Sequence, residues 1–148
     1  MKTAVFPGTF DPFTIGHLSL IDRGLQLFDE IIIAIGVNAN KKTFFPLEQR
    51  IETIEKIFAG NPRVKVAFYD GLTIDYVQST GARFILRGIR SVNDFEYEKN
   101  IADVNRQLSG IETIVLFTEP QYTHISSSIV RELLAYGKDI RAFVPEMA

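Results

Sequence analysis

The sequence predicts an α/β fold, a Rossmann-like doubly wound open sheet of five mainly parallel strands with helices on both faces. Three observations carry this reading. Short apolar runs rich in Val, Ile and Phe alternate with segments whose apolar residues recur every three or four positions. The run "EIIIAIGVN" is apolar at nearly every position, as in strands covered on both faces. Unusual polar residues gather just after the apolar runs, where open parallel sheets bind their ligands.

Each element follows from its local pattern. Residues 2–6 form the first strand. Residues 15–28 place Leu18, Ile21, Leu25 and Phe28 at spacings of three and four, an amphipathic helix. "EIIIAIGVN" is the second strand. Leu47, Ile51, Ile54 and Phe58 line the next helix, with Pro46 suited to its start. "VKVAFY" is the third strand, residues 71–80 a short helix, and "RFILRG" the fourth strand. Residues 94–108 are helical, with Phe95, Ile101, Val104 and Leu108 facing inward. "ETIVLFT" is the fifth strand, and residues 126–136 are a helix opened by three serines, which are good capping residues. The tail "DIRAFVPEMA" reads as a short turn or helix start. Strands separated by helices imply right-handed crossovers. No repeat, low-complexity tract or linker interrupts the pattern, so residues 1–148 are expected to form a single domain.

Composition narrows the function classes. Apolar residues make up 46% and charged residues 23%, enough for a true core. The net charge of -2 argues against a broad nucleic-acid binder, and no nucleic-acid partner is expected. The chain has no cysteine, which excludes disulfides, thiolate catalysis and Cys-based metal sites. Its N-terminus meets Pro7 and Gly8 too early for a signal peptide, and "IIIAIGV" is too short to span a bilayer. A soluble, cytoplasmic protein without membrane attachment is the expectation.

Four segments carry the chemistry. In "PGTFDPFTIGH", Gly8 permits close backbone approach, Thr9 offers a hydroxyl and an amide, and Asp11–Pro12 favours a turn. Thr14 can cap the following helix. Gly16 keeps the first helical turn free of bulk, so a phosphate could reach its amides beside His17. A plain strand–helix connection with a structural histidine explains the stretch nearly as well. In "VNANKK", Lys41 and Lys42 are a solvated pair or a phosphate contact. In "RGIRSVNDFEYE", Arg87 and Arg90 can bracket different phosphates, with Gly88 again permitting close approach. Asp94 and Glu98 share a helix face and Glu96 does not; these carboxylates accept from a nucleoside or balance the arginines. In "YTHISSSIVRE", Ser126, Ser127 and Ser128 present hydroxyls and amides at a helix start, an anion site. His124 reads as a wall or surface residue, and Arg131 as an aid to the anion site or a partner for a nearby acid. No GxSxG elbow supports a serine hydrolase.

"TIGH" resembles the T/HxGH motif of the nucleotidyltransferase superfamily, and "ISSSIVR" its second phosphate motif. The fuller strings "PGTFDPFTIGH" and "RGIRSVNDFEYE", with "NKK" between and "ISSS" after, resemble the bacterial phosphopantetheine adenylyltransferase family over residues 2–145. The resemblance implies adenylyl transfer from ATP to 4'-phosphopantetheine, giving dephospho-coenzyme A and pyrophosphate with Mg2+ assisting, by in-line attack of the substrate phosphate. It implies that Thr9 and Phe10 meet both substrates, and that His17 binds the ATP phosphates and stabilises the transition state. Lys41 would contact the pantetheine phosphate and the reacting centre, and Arg87 would hold phosphopantetheine. Gly88, Ile89 and Arg90 would line the ATP site, Glu98 would lie at the nucleoside, and Tyr122, Thr123, His124, Ile125, Ser126, Ser127 and Ser128 would form a second ATP wall. Leu72 and Thr73 would touch the pantetheine arm. It also implies a homohexamer and feedback by coenzyme A. No ligand cage for the metal is visible, which suits Mg2+ held by substrate phosphates and water. Thr73 and Pro46 depart from the family pattern, where a larger apolar residue and a capping Ser or Thr are usual. Two other functions use the same residues. One is a nucleotidyltransferase taking CTP or another phosphate acceptor, disfavoured by "RGIRSVNDFEYE". The other is a non-catalytic nucleotide- or coenzyme A-binding regulator, disfavoured by Thr9, His17, Lys41 and Arg90 occurring together.

Overall fold

The structure, a computed structural model, describes residues 1–146. The elements run β1 (Thr3–Gly8), α1 (Ile15–Gly24), β2 (Glu30–Val37), α2 (Leu47–Ile57), β3 (Val64–Asp70), α3 (Thr73–Thr80), β4 (Phe84–Ile89), α4 (Val92–Ser109), β5 (Glu112–Phe117), a 3-10 turn (Pro120–Tyr122) and α5 (Ser127–Ala135). The sheet order is β3-β2-β1-β4-β5 and all pairings are parallel. The expected Rossmann-like architecture is therefore present. β1 lies between β2 and β4, so the chain reverses its winding direction beside β1. A crevice opens there beyond the carboxyl ends of β1 and β4.

The apolar runs are buried on both faces, as "EIIIAIGVN" requires. Ala4, Phe6, Ile31, Ile33, Ile35 and Leu86 point to one face and pack with Leu20 and Ile21 of α1 and Ile54 of α2. Val5, Ala34 and Ile85 point to the other face, against Ile74 and Val77 of α3. Burying one such Ile or Val side chain contributes roughly 1.5–3 kcal/mol, which is why alternate residues of one strand can anchor two layers.

Three predicted features change. The helix of residues 15–28 ends at Gly24, and residues 25–27 tighten into a turn. Arg63 explains this stop: its guanidinium donates to the carbonyls of Leu25, Phe28 and Asp29, drawing the chain off the helical path. Phe28 still enters the core. In α4 the expected inward residues are exposed: Phe95 by 49%, Ile101 by 38%, Val104 by 55% and Leu108 by 63%. The only buried residue of this helix is Glu98. The period was read correctly, but α3 already covers the adjoining core with Ile74 and Val77, so the apolar stripe of α4 has no cover within the described chain. The tail forms a turn at residues 141–143, where the Phe143 carbonyl accepts from Ile15 N at 3.0 Å. Residues 147–148 of that tail lie outside the described residues.

Gly88 was expected to make room for a ligand. Gly88 does line one cavity of the crevice, and its missing side chain also makes room for α1, where a Cβ would overlap Leu20 Cδ1. Gly88→Ala should lower stability by about 1–3 kcal/mol, the usual cost of overpacking. In urea denaturation that cost should shrink in a Leu20→Ala background, where the obstructing carbon is gone.

Candidate active site

The crevice holds two cavities that share a wall. One, of about 360 Å3, is lined by Thr9, His17, Arg90 and Ser126–Ser128 among others. The other, of about 700 Å3, is lined largely by apolar atoms and includes Leu72, Thr73, Tyr69, Tyr97 and Ile101. Pro7, Gly8, Thr9, Lys41, Arg87 and Glu98 border both. Four of the predicted site residues stand at that shared wall: Thr9 just after β1, Lys41 on the loop after β2, Arg87 on β4 and Glu98 on α4.

The first cavity is built around the start of α1. Thr14 is the N-cap, and its side chain accepts from His17 N at 3.3 Å. His17, at the third helical position, returns the contact: Thr14 N donates to His17 Nδ1 at 2.9 Å. Glu or Gln usually completes such a capping box. Here an imidazole does, with a chemical consequence. A nitrogen that accepts an N–H carries no proton, so the neutral ring holds its proton on Nε2. Phe6, Phe10 and Phe13 surround the ring, with centroids 6.1, 5.0 and 5.2 Å from it. Burial, then the positive charges of Arg87 and Arg90, lower its pKa from 6.5 to about 3. His17 is therefore a neutral hydrogen-bond donor at physiological pH.

Phe10 takes a left-handed backbone with φ of 51° and tucks its ring beneath Gly8, where a Cβ would come within 2.9 Å of Phe10 Cζ. Phe10 as a whole is 4% exposed, so it offers the smaller cavity little surface. A Cβ on Gly16 would meet only Thr14 Oγ1, at 3.5 Å, which leaves the first turn of α1 open as the sequence suggested.

β4 carries Arg87, and Arg90 follows directly after its last residue. Arg87 donates from Nε and Nη2 to the two oxygens of Glu98, at 2.9 and 2.6 Å, and from Nη1 to the Pro7 carbonyl at 2.7 Å. All three nitrogens thus have a protein partner, and two of the five N–H donors, one on each Nη, remain for a ligand acceptor such as phosphate. Arg90 is steered by Asp94, which accepts from Arg90 N at 3.0 Å and approaches Nε at 3.6 Å. Arg90 Nη1 also reaches the Ile125 carbonyl at 3.4 Å. Asp94 and Glu98 thus hold the two arginines, and Glu96 forms no hydrogen bond or ion pair among the described residues. Lys41 is exposed on the loop after β2 and borders both cavities without a protein partner among the described residues.

The third side is the start of α5. Ser126 caps it, accepting from Ile129 N at 3.2 Å. Ser127 Oγ donates to the Pro12 carbonyl at 2.8 Å, and Arg131 donates to the Asp11 carbonyl at 2.8 Å and to Ser128 Oγ at 3.2 Å. Two helix N-termini, each an anion-binding end, are thereby tied together. Tyr122, Ile125 and the three serines line the cavity, whereas Thr123 and His124 do not, and the His124 ring lies against Phe143. Ile89 is 6% exposed and lies behind the cavity lining.

Sequence reasoning passed over the supports of this site. Asp11 was read only as a turn former, and Arg50 only as part of a helix. Both are buried, at 3% and 6% exposure, and both bond to loop backbone. The signal available was a charge inside an otherwise apolar pattern: Arg50 directly precedes Ile51 on the core face of α2. No cluster of three His, Cys, Asp or Glu side chains that could cage a metal exists among the described residues. The carboxylates of the smaller cavity are already engaged: Asp11 by two amides, Asp94 by Arg90 and Glu98 by Arg87. The donor set does not form a Mg2+ cage.

A cytidylyltransferase-like family model matches residues 5–133. A phosphopantetheine adenylyltransferase of Phocaeicola vulgatus is 64% identical over 146 residues, covering 99% of this chain and 97% of the relative. The chain belongs to the phosphopantetheine adenylyltransferase family. Its relatives of that name in Bacteroides thetaiotaomicron and Porphyromonas gingivalis are 62% and 51% identical, over 99% and 97% of this chain and 97% and 94% of their own lengths. Within this adenylyltransferase family member, no described helix is long and apolar enough to cross a membrane.

The capping box yields a stability test. The unfolded chain takes a proton on His17 near pH 6.5, which the native chain refuses until about pH 3. His17 thus increasingly favours unfolding as pH falls across that interval. His17→Gln can keep the capping box and cannot titrate. Chemical denaturation at a series of pH values should show a flatter acid limb for this variant than for the wild type.

Proposed function

We propose that the protein transfers the adenylyl group of ATP to 4'-phosphopantetheine, forming dephospho-coenzyme A and pyrophosphate in the penultimate step of coenzyme A biosynthesis. The observation that carries this reading is the pair of cavities meeting at Thr9, Lys41 and Arg87. One is polar and faces two helix N-termini; the other is larger and mainly apolar. A nucleoside triphosphate suits the first, and the pantetheine arm suits the second.

The residue roles follow from that placement. ATP enters against Gly88, Ile89, Arg90 and residues 122–128, with Thr123, His124 and Ile89 behind the surface that touches it. His17 Nε2–H and Arg90 donate to its phosphates. Leu72 and Thr73 flank the pantetheine arm, and the two remaining N–H donors of Arg87 receive the arm's phosphate. Glu98 holds Arg87 and borders the nucleoside. Thr9 meets both substrates at the shared wall, Phe10 borders the ATP side, and Lys41 faces the reacting phosphates.

The chemistry needs no protein nucleophile. The phosphate of phosphopantetheine is already anionic. One of its oxygens attacks the ATP α-phosphorus as the bond from that phosphorus to the bridging oxygen breaks, and pyrophosphate leaves in line. Catalysis then consists of alignment and charge stabilisation. His17 suits this role as a donor and is unsuited to be a base, because Nδ1 is occupied and Nε2 already bears the proton. Mg2+ would arrive on the ATP phosphates with its own water and neutralise their charge. Coenzyme A carries the same pantetheine arm, so it would compete for the larger cavity as a feedback inhibitor. Residues 1–148 act as one nucleotidyltransferase domain in the cytoplasm. Copies of the chain assemble, as a hexamer by family resemblance, and the uncovered apolar stripe of α4 supports burial between copies.

Incubation with ATP, Mg2+ and phosphopantetheine should release pyrophosphate and form dephospho-coenzyme A, with CTP giving little turnover. Preference for CTP or for a different phosphate acceptor would replace this assignment. His17→Ala should lower kcat by about 10²–10³, as for loss of one transition-state donor. ATP affinity, followed by calorimetry, should change only about two- to threefold, since the donor acts mainly on charge that develops during reaction.

A further inference from the structure

We propose that Asp11 is a positioning residue for Lys41, acting with Arg50 as a buried clamp that sets the Lys41 loop against the phosphate-binding turn. The proposal rests on the adenylyltransferase reading and assigns what makes its one partnerless cation geometrically useful.

Lys41 stands on residues 38–46, the connection between β2 and α2. Its side chain is a flexible point charge, so its reach depends on where the backbone holds it. The near end of the loop is fixed by β2 and by a turn in which Lys41 N donates to the Asn38 carbonyl at 3.0 Å. The far end is fixed by Asp11. Its two carboxylate oxygens accept from Phe44 N and Phe45 N, each at 2.8 Å. Arg50 closes the clamp, donating from Nη1 to the Thr9 carbonyl at 2.8 Å and from Nε to the Phe45 carbonyl at 3.1 Å. Phe45 is therefore gripped at both its amide and its carbonyl, and Thr9 is bonded directly to the same cluster.

Asp11 and Arg50 form no ion pair with each other or with another side chain among the described residues. Each brings a charge out of water and spends it on loop backbone. A packing role alone would be met as well by apolar residues, because buried charges carry a desolvation cost of several kcal/mol. What the charges supply is direction. Carboxylate and guanidinium forks fix two loops at one separation, and the loops carry Thr9 and Lys41. The Asp11 carbonyl also accepts from Arg131 at 2.8 Å, so the same residue registers Lys41 against the start of α5.

The test is a pair of double-mutant cycles read by single-turnover rates with ATP and phosphopantetheine. Asp11→Asn keeps one acceptor and turns an NH2 toward an amide N–H. Arg50→Lys keeps the charge but loses the fork between two carbonyls. If the clamp acts through Lys41, Asp11→Asn should slow turnover about tenfold in the wild-type chain and less than about twofold in a Lys41→Ala chain, with ATP affinity unchanged. Arg50→Lys should show the same dependence on Lys41. Equal losses with and without Lys41 would overturn the proposal, because a general loosening of the site would then explain them. Asp11→Asn failing to fold leaves the Arg50→Lys cycle to decide, and failure of both to fold would overturn it as well, marking the pair as a structural tie. A wild-type chain inactive on this substrate pair would instead defeat the adenylyltransferase reading.

Discussion

One hydrogen bond, from Thr14 N to His17 Nδ1, does two jobs on which the crevice depends. It finishes the N-terminus of α1 at the point where the sheet reverses its winding, and it decides which imidazole nitrogen carries the proton. An acid or amide at that position would cap the helix as well but would present no ring nitrogen to the cavity. The helix start and the working donor are therefore one structural unit, and the phenylalanines around the ring keep it neutral.

The same economy appears in the charges. Arg87 is aimed by Glu98, Arg90 by Asp94, and Arg131 by a carbonyl and a serine. Each guanidinium is held before any ligand arrives, so little ordering remains for the moment of reaction. Lys41 departs from this rule, because ammonium groups lack a rigid fork. Its precision has to come from the backbone beneath it, which is where Asp11 and Arg50 bear.

Much of this was legible in the sequence. The alternation of apolar runs with three-and-four spacing fixed all five strands and five helices to within a few residues, apart from the early end of α1. The residues at the strand ends, Thr9, His17, Arg87, Arg90 and the three serines, were singled out by type and place alone. The errors share a cause. Periodicity tells which side of a helix is apolar but not whether something covers it, so the stripe of α4 was misplaced into the core. Gly88 reads as open backbone and does line the cavity, but nothing in its identity reveals that Leu20 packs against it as well. Asp11 and Arg50 escaped notice because their partners are main-chain atoms, which leave no mark in residue identity.

The contact between Leu20 and Gly88 has a further consequence. It lies one turn along α1 from His17 and between Arg87 on β4 and Arg90 just beyond that strand's end. The Leu20 side chain of α1 rests on the bare backbone of Gly88, where no Cβ intervenes. Close apolar packing therefore joins the hydrogen bonds of Arg87 and Arg90 in setting the spacing between the imidazole and the guanidinium groups. A contact of this kind does not stretch with salt or titrate with pH, and it gives the charged half of the site a ruler made partly of apolar carbon.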